Sequence, residues 1–136
     1  AGTGRVAFSV APAARHVFAV EPVGTLRRFM RDKAAEMGIR NLFVLDGFLH
    51  AIPLPADSAD VLLTCQAIGW ALPDELAEIE RVVKPAGMAM HLFGAATAPS
   101  ENPLHEPLVA HGYLPGLYQQ GNHHIVRYRK QIGASG

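Results

Sequence analysis

Residues 51–63 read Ala51-Ile-Pro-Leu-Pro-Ala-Asp-Ser-Ala-Asp-Val-Leu-Leu63, and residues 76–87 read Leu76-Ala-Glu-Ile-Glu-Arg-Val-Val-Lys-Pro-Ala-Gly87. The first passage is a proline-rich connection that runs into an apolar stretch, 59–64. A short apolar run of this composition is expected as a strand buried on both faces. After it, 73–83 is predicted to be a helix, with Pro73 in its first turn and Leu76, Ile79, Val82 and Val83 turned inward. Residues 84–87 (Lys-Pro-Ala-Gly) predict a tight turn, and 88–93 predict the next apolar strand. Strand, helix and strand in succession are the unit of a parallel sheet.

The same alternation extends outward in both directions. Residues 5–14 predict a short helix with Val6, Ala7 and Val10 on one side, ended near Pro12. Residues 16–20 (His-Val-Phe-Ala-Val) predict a second doubly buried strand. Residues 25–37 predict an amphipathic helix. Leu26, Phe29, Met30, Ala34 and Met37 lie on its apolar side, Arg27, Arg28, Arg31 and Lys33 lie mostly opposite, and Gly38 takes the left-handed C-cap position. Residues 41–45 predict another strand. Beyond the quoted passages, a polar loop at 95–103 leads to a short helix at 104–111. Two strands at 114–119 and 124–130 follow, joined by the hairpin signal Gly121-Asn122. The expected architecture is α/β: a mostly parallel sheet with helices on both faces and an antiparallel C-terminal hairpin at one edge. With no repeat, low-complexity block or linker, one domain over 1–136 is expected. Ligands in such sheets bind beyond the carboxyl ends of the strands.

Composition narrows the function classes. Of 136 residues, 49% are hydrophobic and 18% charged, which argues against disorder. Twelve Lys and Arg balance twelve Asp and Glu, so the basic field of a nucleic-acid binder and the polybasic face of a membrane-surface protein are both missing. A single cysteine excludes an internal disulfide and a Cys-rich zinc site, in keeping with a cytoplasmic setting. No apolar run approaches the ~18 residues of a membrane span, and Ala1 onward is not a signal pattern.

Gly2-Thr3-Gly4 leads into the first predicted helix. Glycines there admit a ligand to backbone N–H groups at a helix N-terminus. Glu21 closes the strand 16–20, where a carboxylate can accept both hydroxyls of a ribose. Together the two features point to a cofactor that contains a nucleoside. Gly2 to Ala7 also satisfies the Gly-x-Gly-x-x-Ala form of the dinucleotide fingerprint, so nicotinamide cofactors remain open at this point.

The two quoted passages resemble those of class I S-adenosylmethionine-dependent methyltransferases, nearest to the small-molecule enzymes called type 11. In that family the first passage reads Leu-Pro-Phe-Pro-Asp-x-Ser-Phe-Asp-Val-Val, and the second reads Leu-x-Glu-x-x-Arg-Val-Leu-Lys-Pro-Gly-Gly. The resemblance extends from residue 1 to about 94. It implies a Rossmann-like methyltransferase fold and S-adenosylmethionine as cofactor. Ala1, Gly2 and Gly4 match the loop under the methionine part, Glu21 the acid on the ribose hydroxyls, and Pro22 a neighbour of the adenine. Where the family reads Gly-Asp-Ala, this chain has Asp46, Gly47, Phe48 and Leu49, with Phe48 at the Asp position. Either Asp46 or the backbone of Phe48 and Leu49 then reads the adenine. Thr64, Cys65 and Gln66 fall where the family lines the cofactor and the methyl-transfer centre. The Asn-Pro-Pro-Tyr motif is absent, which argues against the type that uses it to methylate exocyclic amines of nucleic-acid bases. The type 11 resemblance implies a small-molecule methyl acceptor, and the balanced charge implies neither nucleic acid nor membrane as partner. The resemblance also implies a central first strand ahead of the glycine loop. That strand is missing from the sequence before Ala1, so the domain is expected to be N-terminally incomplete.

On the substrate side, Trp70 and His91 are the candidates. Trp70 also reads as a packing aromatic, and His91 also reads as a satisfied core histidine. His123 and His124 point to opposite faces of a strand, so no metal site is expected. Cys65 has no identifiable histidine partner and reads as a pocket-lining thiol. Arg127, Arg129 and Lys130 read as solvated hairpin charges. Two other functions stay in view: a non-catalytic methyltransferase-like module that binds or dimerises, and an NAD(P)-dependent oxidoreductase.

Overall fold

The computed structural model describes residues 1–2, 4–94 and 98–133. Thr3, and residues 95–97 of the loop expected at 95–103, lie outside the described residues. The chain divides into two compact units, 1–53 and 54–136.

The first unit runs α1 (Arg5–Val10), a 3-10 turn (Ala11–Ala13), β1 (Val17–Val20), α2 (Gly24–Glu36) and β2 (Leu42–Leu45). β1 and β2 pair in parallel, with Val17 opposite Leu42 and Val20 opposite Leu45. One face of the pair carries the core: Ala19, Leu42 and Val44 pack with Ala7 and Met30, and Phe8, Val17 and Ile39 close around them. α2 ends as its sequence predicts. Gly38 has φ +68°, and the N–H of Ile39 returns to the Ala34 carbonyl at 2.9 Å. Close to this cap, the Asn41 amide donates to the carbonyls of Ala11 (2.8 Å) and Ala14 (2.9 Å).

The second unit runs β3 (Ala59–Cys65), α3 (Leu72–Val82), β4 (Val83–Gly94), a 3-10 turn (Pro99–Glu101), α4 (His105–Ala110), β5 (Leu114–Gln120) and β6 (His123–Gln131). Its sheet has the order β3-β4-β6-β5. β3 and β4 are parallel, and the other two pairings are antiparallel. α3 has Pro73 in its first turn, Asp74 and Glu75 at its N-terminal end and Arg81 in its last turn, which suits the helix dipole. Leu76, Ile79 and Val82 are buried, as the periodicity predicts, and Val83 continues the buried run at the start of β4. Ala89, Leu108, Val126 and Tyr128 complete this core. The Tyr128 hydroxyl donates to the Pro99 carbonyl at 3.0 Å and lies 2.8 Å from His105 Nδ1, so the buried phenol is satisfied.

Several expectations are corrected. The strands ahead of the hairpin pair in parallel, and both antiparallel pairings belong to the C-terminal hairpin, which joins β4 directly; the described strands form two sheets rather than one. Among the described residues no strand pairs with the second edge of β1 or of β3. β1 and β3 were expected to be buried on both faces. Instead Phe18 and Phe43 stack on an open face of the first pair (centroids 5.5 Å apart), and Val61 on β3 is half exposed. A continuous apolar run shows that a strand can be buried, but neighbouring elements decide how much of it is. Phe29 and Met37, expected on the core side of α2, are about half exposed. Phe29 is partly shielded by the Lys33 ammonium, 5.8 Å from its ring centroid. Residues 84–87 do not form a free turn. They are taken into β4 as an irregularity with Ala86 at φ +69°, and the Ala86 N–H is tied to the Ile132 carbonyl at 2.6 Å. Among the described residues no helix is long and apolar enough to cross a membrane.

Candidate cofactor and methyl-transfer site

In the first unit, the glycine turn and Glu21 form one structure. Glu21 follows β1 at its carboxyl end and is 6% exposed. Its Oε1 accepts the Gly2 N–H at 2.7 Å and the Ala1 amino group at 2.8 Å, and its Oε2 accepts the Val23 N–H at 3.0 Å. Burial acts to raise its pKa. The Val23 and Gly2 N–H groups that donate to the carboxylate act to lower it. An ionised carboxylate offers about four lone-pair sites, of which three are filled here, so Oε2 keeps room for one further donor.

The two glycines differ in their reason. Gly2, at φ +59°, faces open space where a Cβ would stand. That leaves the loop accessible to a ligand. Gly4, at φ +88°, is packed: a Cβ there would come within 2.9 Å of Met30 Cγ and Phe8 Cε2. Gly4→Ala therefore combines left-handed strain with overpacking of the core. It should destabilise by about 2–4 kcal/mol, and Gly2→Ala should cost only the backbone strain, about 1–2 kcal/mol. Urea unfolding of the two variants checks the difference, and equal losses would overturn the assignment of the packing role to Gly4.

Arg27 is a residue the sequence reading missed. It was expected on the solvated side of α2. Its guanidinium donates to the carbonyls of Glu21 (3.0 Å) and Pro22 (2.8 Å) and to the Asp46 carboxylate (3.0 Å), so it ties together the chain segments leaving β1 and β2. Asp46, expected as a candidate for the adenine, is therefore engaged with Arg27, although its side chain is 68% exposed. Gly47 is needed for space, because a Cβ would stand 2.7 Å from Pro53 Cδ. Phe48 is half exposed and stacks on His50, with centroids 4.9 Å apart. Leu49 is half-buried, and Pro22 is exposed.

In the second unit, Thr64, Cys65 and Gln66 stand at the carboxyl end of β3. Thr64 is buried, and its Oγ1 lies 2.6 Å from His91 Nδ1. His91 is fully buried on β4, and its Nε2 lies 3.1 Å from the Tyr113 hydroxyl. Burial pushes the imidazole down to about 4, so it is neutral at ordinary pH. Burial, assisted by the Glu80 carboxylate, raises the Tyr113 phenol. Both ring nitrogens of His91 are thus occupied inside the protein. Cys65 is an exposed free thiol. Gln66 is exposed and has the left-handed φ of +52°. Trp70 was read as a packing aromatic or a substrate-side residue. It is 90% exposed, which rules out the packing role. Tyr113 and Glu75, whose carboxylate accepts the Gly69 N–H at 2.8 Å, were not singled out by sequence. Nothing local to either residue marks its partner, which comes from another strand or from the preceding loop.

Residues 1–91 match the family described as a methyltransferase domain. No match was found among curated proteins. Among solved structures, the YcgJ protein of Bacillus subtilis is 24% identical, with a TM-score of 0.67 over 81% of this chain and 47% of its own. This chain thus spans about half the length of that relative. A SAM-dependent methyltransferase from Aquifex aeolicus is 18% identical (TM-score 0.75, 94% of this chain and 77% of its own). The [4+2]-cyclase SpnF is 16% identical (TM-score 0.77, 98% and 73%). At these identities the structures establish the fold, and the family match covers well over half the chain. The chain therefore belongs to the methyltransferase-domain family, a membership that implies S-adenosylmethionine as the cofactor.

Proposed function

We propose that this chain is the cofactor-binding core of a cytoplasmic methyltransferase that moves a methyl group from S-adenosylmethionine to a small molecule, as one domain over 1–136. The observation that carries the reading is the buried Glu21 carboxylate beneath the Gly2 N–H, beside a glycine whose face is open. The family resemblance gives Ala1, Gly2 and Gly4 the methionine part. It gives Glu21 and Pro22 the nucleoside, the segment Asp46 to Leu49 the adenine, and Thr64, Cys65 and Gln66 the reacting end. When bound, the cofactor supplies an electrophilic methyl on a sulfonium. Arg27 fixes the ends of β1 and β2, and the ionised Glu21 orients a hydroxyl group. Positioning of this kind can supply much of the catalysis of an in-line displacement. Balanced charge supports a small acceptor over nucleic acid.

Calorimetric titration with S-adenosylhomocysteine and with NADH tests the reading. Binding of the first and not the second is expected, and the reverse would turn the assignment to an oxidoreductase. A second reading is a non-catalytic binding or dimerisation module. The unpaired edges of β1 and β3 among the described residues favour it. An oligomer in light scattering that binds no S-adenosylhomocysteine would select that second reading.

A further inference from the structure

The loop after β3 is braced at both ends by buried polar groups, and between them it holds out the chain's only tryptophan. At the strand end, buried Thr64 is joined to His91, and through it to Tyr113. At the far end, the Glu75 carboxylate is 1% exposed and accepts the Gly69 N–H at 2.8 Å. Burying a carboxylate is costly, and here it fixes the backbone one residue before Trp70. Ile68 is buried, and Gly69 (φ +121°) lies so close to Leu104 that a Cβ would meet its Cδ1 at 2.9 Å. Gln66 keeps a left-handed φ without being glycine. Such backbone persists only where its surroundings over-determine it. Against this bracing, Trp70 is 90% exposed. An indole on a fixed backbone with its surface uncovered has met much of the ordering cost of binding in advance.

The charge pattern narrows what it can bind. Residues 61–73 contain no Asp, Glu, Lys, Arg or His. A ligand that reaches the indole along this loop meets Cys65, Gln66 and Ala67, which supply no cation for a phosphate or a carboxylate. We propose that loop 66–71 is a preorganised acceptor platform, on which Trp70 stacks against a flat, uncharged ring of the methyl acceptor. Glu75 and His91 are positioning residues that hold the platform in place. The proposal rests on the methyltransferase reading and names the acceptor class for it.

Calorimetry on the wild type, Trp70→Ala and Trp70→Phe tests the acceptor. S-adenosylhomocysteine is titrated first, and then 4-ethylphenol, tyramine and 4-hydroxyphenylacetate, three similar rings that are neutral, cationic and anionic. The neutral ring should bind the wild type, lose about tenfold in affinity in Trp70→Ala and stay within about threefold in Trp70→Phe. The anionic ring should bind about tenfold more weakly than the neutral one. Equal binding of 4-ethylphenol to wild type and Trp70→Ala, no binding of any ring, or tightest binding of tyramine would each overturn the proposal. Absence of S-adenosylhomocysteine binding in the wild type would overturn the methyltransferase reading, and the platform with it. The bracing has its own readout, because the single tryptophan reports on the loop. Emission anisotropy of Trp70 should fall in Glu75→Ala and hold in Glu75→Gln, whose amide oxygen can still accept the Gly69 N–H. Unchanged anisotropy in Glu75→Ala would remove the bracing role. If Glu75→Ala does not fold, hydrogen exchange of the Gly69 amide in the wild type decides: protection supports the brace, and free exchange overturns it.

Discussion

Glu21→Ala is expected to abolish the stabilisation that S-adenosylhomocysteine gives this protein. At a ligand concentration about a hundredfold above Kd, a one-site ligand adds about 2.7 kcal/mol to the folded state. For a chain of this length that is a rise in Tm of roughly 10 °C. Glu21 carries the effect because it has two tasks. It offers an ionised, buried acceptor for a hydroxyl group, and it holds the Gly2 N–H and the Val23 N–H that shape the loop. Its removal leaves those two N–H groups without their acceptor, so the unliganded variant should itself lose about 1–3 kcal/mol. Circular dichroism and the unliganded Tm separate that loss from the loss of ligand response. A variant that is folded and still shows the full ligand-induced shift would sink the assignment of Glu21 to the cofactor.

Acid should destabilise the protein through His91, and His91→Gln should remove most of that sensitivity. The folded imidazole titrates at about 4 against 6.5 for a free histidine, because it is buried. Between those values the unfolded chain takes up a proton that the folded chain refuses. Stability attributable to this group is therefore intact above about pH 6.5 and is lost progressively toward pH 4, by on the order of 3 kcal/mol in all. His91→Gln keeps a polar group between Thr64 and Tyr113 and abolishes the titration. It should be less stable than the wild type near neutral pH and nearly level with it near about pH 4.5. Urea unfolding at both pH values measures this, and parallel losses in the two proteins would show that His91 is not the group responsible.

The fold by itself does not fix the reaction. A protein named as a [4+2]-cyclase shares this architecture at a TM-score of 0.77. Reaction type therefore has to be argued from side chains, and the proposed reading draws on Glu21 and Arg27 in the first unit and on Thr64, Cys65 and Trp70 in the second. The exposed thiol of Cys65 lies next to a threonine whose hydroxyl is already committed to His91. The Thr64–His91 pair is buried rather than presented to a ligand, which suits a reaction that relies on positioning.

The sequence by itself determined the order and type of the elements. The helices at α2 and α3, the glycine cap after α2, the hairpin at Gly121-Asn122 and the strands β1 to β6 are legible because apolar period, glycine and proline act over a few residues. It also located the glycine turn and Glu21, whose types and positions are dictated by their chemistry. Tertiary structure alone decided which faces were covered. Phe18, Phe43, Phe29 and Val61 are apolar and exposed, since burial depends on what packs opposite and not on the run itself. It alone decided that Arg27 binds two strand ends, that His91 joins Thr64 to Tyr113, and that Glu75 holds Gly69. Most of these contacts link residues about twenty or more positions apart. A buried polar group shows its type in the sequence, but its partner is set by how distant segments meet, and only the folded chain carries that information.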